Sequence, residues 1–167
     1  MRFVFHATPR LDAARARRSS GFTLVELMLV LAAIGVLTAL AIPAYHSWRD
    51  RVTSADAAMD ISGIAVMAKS FHAEFGSYPA RLTQAIQAGV EIDPWGNPYV
   101  FLAIEGAPPS AMGQVRKDKN LVPINSDFDL YSLGPDGESR APLAAKVSQD
   151  DIVRASDGAF IGLAEEF

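Results

Sequence analysis

The sequence predicts an α+β protein in which a long amino-terminal helix, with its amino-terminal half in a membrane, packs on a small antiparallel β-sheet. The helix is predicted by an almost uninterrupted apolar run over residues 27–44 and by apolar residues that follow it at steps of four and three. The sheet is predicted by short apolar stretches between turns rich in glycine and proline in the second half of the chain.

The apolar run is long enough to cross a membrane once. As a helix with a rise of about 1.5 Å per residue, residues 22–44 span roughly 34 Å, and a bilayer core is about 30 Å thick. Arginines before the run place its amino-terminal side in the cytoplasm, so most of the chain is exported, although two arginines after the run weaken the asymmetry. These residues are Arg2, Arg10, Arg15, Arg17 and Arg18 before the run, and Arg49 and Arg51 after it.

A carboxylate stands at the start of the run. Glu26 needs a reason to be there, because a charge in hydrocarbon costs about 2.5 to 3.5 kcal/mol on insertion scales. An ordinary secretory signal has about 7 to 15 apolar residues followed by small residues at its cleavage site, and this run is longer. Two interpretations stay open: a signal anchor with Glu26 at headgroup level, or a cut on the cytoplasmic side between Gly21 and Phe22.

The stretch G-F-T-L-V-E over residues 21–26 resembles the class III signal of type IV pilins and of the pseudopilins of type II secretion. In that family a prepilin peptidase cleaves after the glycine and methylates the new amino terminus. The resemblance implies that residues 1–21 are a cleaved basic leader and that residues 22–47 form a transmembrane and assembly helix. It also implies that Glu26 of one subunit pairs with the cationic amine of Phe22 on a neighbour.

Two residues inside the helix acquire a role from the same resemblance. Pro43 lies where the family carries a helix-interrupting proline, and Gly35 lowers the helix propensity of the apolar run. In the family this region can stretch or melt when subunits assemble. The resemblance therefore implies that Gly35 and Pro43 serve assembly.

Composition indicates one exported domain over residues 48–167, which are enough for one modest core. The loss of five Arg and one Asp with residues 1–21 takes the formal charge from -4 to about -8, which disfavours nucleic acid as a partner. The basic stretch with Arg116, Lys117 and Lys119 is interpreted as a solvated loop. Cysteine is absent, so a metal ion is the candidate for holding irregular parts together.

Local signals place the remaining elements. The apolar stripe extends the helix to Phe75, where Gly76 favours a left-handed cap and Pro79 disfavours helix in the residue before it. The stripe consists of Ala57, Ile61, Ile64, Ala68, Phe71 and Phe75. We expect a short helix over residues 81–88, a tight turn over residues 93–99, strands over residues 99–104 and 128–133, and a loop over residues 105–125.

Motifs in the second half extend the resemblance. G-S-Y-P, D-P-W-G-N-P-Y, D-L-Y-S-L-G-P-D-G and Asp150-Asp151-Ile152 occur in the order and approximate spacing of the major pseudopilin of type II secretion systems. The match runs from Phe22 to about Ile152 and implies a pilin-like fold. The chain departs from the pattern in a longer loop over residues 105–125, in fewer glycines over residues 138–149 and in a tail without tryptophan.

The resemblance implies a calcium site. Calcium takes about six to eight oxygen ligands, including carboxylates and backbone carbonyls. The matched positions are the carbonyl of Leu133 and the carboxylates of Asp136, Asp150 and Asp151, which would tie the loop over residues 137–149 to the preceding strand. The residues alone leave another interpretation open, in which Asp136 stabilises a turn while Asp150 and Asp151 cap a following helix or lie in solvent.

No group of residues predicts an enzyme. The histidines, His6, His46 and His72, fall in the leader, at the membrane edge and on the helix, and no phosphate loop, zinc motif or nucleophile elbow occurs. Asp127 and Asp129 would point to the same side of a strand and are interpreted as a solvated sheet face.

Three functional hypotheses follow. The resemblance favours a structural subunit of the periplasmic pseudopilus of a type II secretion system, which polymerises and pushes folded substrates through the outer membrane. It implies a single-pass protein of the bacterial inner membrane with a periplasmic carboxy-terminal domain, whose partners are its own copies, minor pseudopilins, the prepilin peptidase and an inner-membrane assembly platform. The alternatives are a type IV or competence pilus pilin for adhesion, motility or DNA uptake, and a signal-anchored periplasmic enzyme or binding protein.

Overall fold

The computed structural model describes residues 21–86, 91–119 and 121–167, so the leader up to residue 20 lies outside the described residues. The chain divides into two compact units, Met1–Pro43 and Ala44–Phe167. Helix α1 spans Leu24–Phe75. The predicted helix end is confirmed, because Gly76 follows with a φ of 74° and donates its N–H to the carbonyl of His72.

The second unit contains one antiparallel sheet with the strand order β1-β2-β3-β4. The strands are β1 Val100–Ala103, β2 Phe128–Ser132, β3 Ile152–Ala155 and β4 Phe160–Leu163. β1 and β2 pair along their lengths, as do β3 and β4, whereas β2 and β3 share only the pairs Tyr131 with Val153 and Ser132 with Ile152. The predicted antiparallel sheet and its first two strands are confirmed, and β3 and β4 are additional.

The carboxy-terminal part of α1 packs on one face of this sheet. Buried helix residues share an apolar cluster with Phe128, Leu130 and Ile152 of the strands. The helix residues are Ala57, Ile61, Ile64, Ala65 and Ala68. The predicted stripe is thus confirmed over its first four positions, but its last residue is not core. Phe75 is 61% exposed, and its ring contacts that of Phe71 on the same helix at a centroid distance of 4.5 Å.

A second apolar cluster covers the opposite face of the sheet. Val153 and Ala155 of β3 pack there with Ile124, Leu143 and Ala164, which come from the segments around the sheet. Because side chains alternate along a strand, Ile152 and Val153 belong to different clusters. Both faces of β3 are therefore buried, which explains why its sequence lacks a polar alternation.

The turn over residues 93–99 is confirmed. Oδ1 of Asp93 accepts the N–H groups of Trp95 and Asn97, at 3.1 and 2.8 Å, and Gly96 has a φ of 97°. The side-chain amide of Asn97 also donates to the carbonyl of Gly134 at 2.9 Å. The turn therefore reaches the segment that follows β2.

Two predictions about irregular segments need correction. The expected helix over residues 81–88 is only a 3₁₀ turn at Leu82–Gln84, and residues 87–90 lie outside the described residues. The interpretation of the basic stretch with Arg116, Lys117 and Lys119 as a solvated loop is wrong for Arg116, which is buried, whereas the two lysines are not buried.

Candidate assembly end and candidate metal loop

The amino-terminal end of α1 carries the residues predicted for processing and assembly. Gly21 and Phe22 lie in irregular backbone just before the helix, and Phe22 is 85% exposed. A Cβ added to Gly21 would meet no other atom within 4 Å, so no packing contact requires glycine there. Among the described residues, nothing therefore covers the Gly21–Phe22 peptide bond at which cleavage is predicted.

Glu26 forms a capping box with Thr23 at the helix start. The N–H and the hydroxyl of Thr23 donate to Oε2 of Glu26 at 2.8 and 2.9 Å, and the N–H of Glu26 donates to Oγ1 of Thr23 at 3.2 Å. These bonds satisfy donors that the first turn of a helix leaves open. The sequence analysis did not identify Thr23 as a capping residue, although the pattern T-x-x-E is the signature of this cap. Glu26 thus has a role within one chain in addition to the predicted pairing between subunits.

The first part of α1 is apolar and exposed. Residues 24–43 are all exposed, and the most apolar 18-residue window has a mean hydropathy of 2.5. By length and composition, α1 is the one helix in the described ranges that can cross a membrane. A signal sequence is also long and apolar enough to pass this test. The residues at the start of the helix are therefore needed to distinguish a signal sequence from a membrane-spanning helix that stays on the protein.

Gly35 and Pro43 both lie inside α1. A Cβ added to Gly35 would meet no other atom within 4 Å, so packing within one chain does not require glycine at this position. The role of Gly35 and Pro43 in assembly stays a prediction.

Part of the predicted calcium set comes together after β2 and before β3. Asp136 and Asp150 line one surface depression together with Glu165. Burial raises the pKa of Asp150, and the charges of Asp136 and Glu165 add to this rise. Oδ1 of Asp136 accepts the N–H of Glu138 at 2.8 Å, which is the turn role that the residues alone suggested.

Asp151 faces a different environment. Its side chain is fully buried, and its Oδ2 lies 2.5 Å from Nη2 of Arg116 and 2.6 Å from Oγ of Ser139. Burial raises the pKa of Asp151 to about 6, although the hydrogen bond from Ser139 and the charge of Arg116 act in the opposite direction. The guanidinium is thus the cation that this carboxylate contacts.

Among the described residues, the structure does not bring the carboxylates of the four predicted ligands together as one group, and calcium binding by these residues stays a prediction. Asp136 and Asp150 line the same depression, whereas Asp151 forms an ion pair with Arg116. Leu133, three residues before Asp136, is half-buried. Within the described ranges no group of three or more His, Cys, Asp or Glu side chains is arranged to hold a metal ion. The physical reason is the segment over residues 105–125, which brings a positive charge to Asp151. The other interpretation, in which Asp151 caps a helix or lies in solvent, is wrong, because a strand follows Asp151 and its side chain is buried.

The aspartates at the start of β2 form structural contacts. Asp127 forms two bonds with the buried guanidinium of Arg154, Oδ1 to Nη1 at 2.8 Å and Oδ2 to Nη2 at 2.6 Å. Asp129 is buried and accepts the N–H of Arg116 at 2.6 Å and the side-chain amide of Asn125 at 2.9 Å. Burial raises the pKa of Asp129, while these hydrogen bonds lower it. The interpretation of Asp127 and Asp129 as a solvated face is therefore wrong.

Comparisons with known proteins agree with the geometry of the helix start. The family model described as the prokaryotic N-terminal methylation motif matches residues 16–42. The type II secretion system core protein G of Pseudomonas aeruginosa is 32% identical over 143 residues, which cover 73% of this chain and 87% of that protein. The protein of the same name from Aeromonas hydrophila is 26% identical over 144 residues, covering 74% and 87%.

Pilus proteins are also similar to the chain. The type IV major fimbrial protein FimA of Dichelobacter nodosus is 31% identical over 135 residues, covering 74% of this chain and 73% of that protein. No solved structure matches the chain. The identity with the Pseudomonas protein extends far beyond the amino-terminal motif and through most of both chains. The chain therefore belongs to the family of the type II secretion system core protein G.

Proposed function

We propose that the chain is a structural subunit of the periplasmic pseudopilus of a type II secretion system. Copies of it polymerise into a filament that pushes folded substrates through the outer membrane. The observation that carries this proposal is the 32% identity with core protein G, which extends over 87% of that protein. It is combined with an exposed Phe22 just before an apolar helix of membrane length.

The proposal places the chain in the inner membrane by one crossing, with the second unit in the periplasm. The prepilin peptidase removes the leader after Gly21 and methylates Phe22. An inner-membrane platform then adds the subunit to the filament, in which it contacts its own copies and minor pseudopilins. This role needs no catalytic residues, and the acidic charge of the cleaved chain disfavours nucleic acid as a partner.

Glu26 supplies the electrostatic part of assembly in this proposal. Cleavage creates a cationic amine on Phe22, and the carboxylate of a neighbouring subunit neutralises it in surroundings of low dielectric. In the isolated chain the same carboxylate accepts two hydrogen bonds from Thr23. Glu26 therefore serves both as a helix cap and as a charge partner between subunits, and an experiment must distinguish these two roles.

The substitution Glu26→Gln separates the two roles. Glutamine keeps an oxygen that accepts the Thr23 N–H, as in a capping box with glutamine, but it removes the charge. The matched control Thr23→Val removes the capping hydroxyl and keeps the charge. We expect both variants to be cleaved normally, as shown by amino-terminal sequencing, and only Glu26→Gln to lose filament assembly.

Assembly is measured as the fraction of subunit that cross-links into high-molecular-weight ladders when the other secretion components are present. If Glu26→Gln assembles as the unsubstituted chain does, the charge pairing is wrong. If Thr23→Val fails and Glu26→Gln does not, the contribution of Glu26 is the helix cap alone.

A second candidate function is that of a type IV pilus subunit. It is favoured by the 31% identity with FimA, which covers 73% of that protein. Deletion of the gene distinguishes the two functions: a pseudopilus subunit is needed for protein secretion, and a pilin is needed for surface pili. Loss of pili with secretion intact would select the second function.

A further inference from the structure

The segment over residues 105–125 brings a buried arginine to the connection between β2 and β3. Arg116 is only 1% exposed, although it belongs to a basic stretch whose Lys117 and Lys119 are not buried. A buried guanidinium is costly unless its charge and its donors are matched. Its contacts therefore indicate what the segment does.

The guanidinium joins the two ends of the connection. Nη1 donates to Oγ of Ser139 and to the carbonyl of Arg140, at 2.5 and 2.6 Å, near the start of the connection. Nη2 donates to Oδ2 of Asp151 at the end of the connection, directly before β3. The planar group also lies over the ring of Tyr131, 4.3 Å from its centroid. One cation thus contacts three oxygens from both ends of one loop.

Backbone bonds fix the arginine in this position. The N–H of Arg116 donates to Oδ2 of Asp129 on β2 at 2.6 Å. The N–H of Lys117 donates to the carbonyl of Ala141 at 3.0 Å, and the N–H of Leu143 donates back to the carbonyl of Lys117 at 2.9 Å. The segment therefore pairs with the connection as a short added strand would, and the arginine is held by both.

We propose that the guanidinium of Arg116 performs in this chain the task that the family resemblance assigns to calcium, so that the second unit folds without calcium. Guanidinium and metal would both need the carboxylate of Asp151, and two cations on one buried carboxylate repel each other. With Asp151 engaged, the exposed side of the connection keeps Asp136, Asp150 and Glu165, next to Lys146. This inference concerns folding of one subunit and does not depend on filament assembly.

The direct test measures calcium dependence on the full-length chain in detergent. Thermal unfolding is followed by tryptophan fluorescence with excess EGTA and with about 1 mM calcium; a site with a dissociation constant about 100-fold lower would raise the midpoint by about 10 °C. We expect the two midpoints to agree within about 1 °C. A rise of several degrees with calcium, for example through the Oδ1 of Asp151 that has no partner among the described residues, would overturn the proposal.

The substitution Arg116→Gln tests the arginine itself. Because it leaves Asp151 buried without its cation, we expect the midpoint in EGTA to fall by about 10 °C or more. Arg140→Gln is the matched control, since Arg140 is exposed and takes part in the loop through its backbone N–H and carbonyl. We expect this control to change the midpoint by less than about 2 °C.

If the Arg116→Gln chain has the same unfolding midpoint in EGTA as the unsubstituted chain, the proposal is overturned. If this variant does not fold in EGTA, that loss is the expected effect in its extreme form, and the calcium comparison on the unsubstituted chain still decides the question.

Discussion

Removal of the carboxylate of Asp127 is expected to destabilise the second unit strongly. The side chain of Arg154 is fully buried, and that of Asp127 is 12% exposed. The guanidinium forms two bonds with Asp127, one with the carbonyl of Phe128 at 3.0 Å, and lies 4.1 Å from the centroid of the Phe128 ring. In Asp127→Asn these neutral partners remain, but the guanidinium loses the carboxylate that it contacts directly.

The magnitude follows from the burial of the pair. Loss of one partner from a buried ion pair costs about 3 to 5 kcal/mol, and the slight exposure of Asp127 places the expected loss near the lower value. For a unit of this size, about 3 kcal/mol lowers the unfolding midpoint by about 10 °C. Chemical and thermal unfolding of the full-length chain in detergent measure the loss.

A surface pair of the same chain provides the control. Nζ of Lys119 lies 3.6 Å from Oδ2 of Asp118, and Lys119 is 78% exposed, so Lys119→Gln should cost less than about 1 kcal/mol. The double variant with Asp127→Leu and Arg154→Met should recover most of the stability, because apolar residues of similar volume can replace a buried pair. If Asp127→Asn loses no more stability than Lys119→Gln, the pair is solvated and the argument is refuted.

Three further predictions concern other parts of the second unit. Leu130→Ala should cost about 2 to 5 kcal/mol in denaturant unfolding, whereas Phe75→Ala should cost less than about 1 kcal/mol because Phe75 is exposed. Gly134→Ala should cost more than Gly76→Ala: both glycines have positive φ, but a Cβ at Gly134 would lie 2.5 Å from the carbonyl oxygen of Asp150, and a Cβ at Gly76 would meet no atom within 4 Å. Burial acts to raise the pKa of Asp157, but hydrogen bonds from Ser126 outweigh it and lower that pKa. The carboxylate therefore stabilises the fold above the ordinary aspartate pKa, and this contribution is lost as pH falls through the lowered pKa. The unfolding free energy of Asp157→Asn should fall less between about pH 4 and pH 2 than that of the unsubstituted chain, and an equal fall would contradict this.

Local signals predicted the parts of the fold that depend on a few adjacent residues. Gly76 ended the helix, and Asp93 with Gly96 formed the expected turn, because these residues determine the backbone around them. The helix stripe also located the face that packs on the sheet. Thr23 was within reach of the same reasoning, since its signature with Glu26 is local.

Contacts between distant residues could not be predicted in this way. Arg116 and Asp151 are 35 positions apart, and the residues adjacent to each in the sequence do not predict that the two form a buried ion pair. Arg154 lies in the middle of β3, where an arginine suggests an exposed position, and its partner Asp127 is 27 positions earlier. Strands β3 and β4 were not predicted either; β3 carries Arg154, and its partner carboxylate lies in a distant part of the sequence.

The capping box has a consequence for the exchange of subunits between membrane and filament. Before assembly, the carboxylate of Glu26 already accepts two bonds from its own chain, so a subunit waiting in the lipid does not carry a bare anion. Under the proposed pairing, a subunit that joins the filament brings its Glu26 carboxylate to the ammonium group of another copy. When the subunit leaves, this carboxylate keeps only the hydrogen bonds from Thr23. Under the proposed pairing, a subunit that leaves the filament therefore keeps a hydrogen-bonded carboxylate.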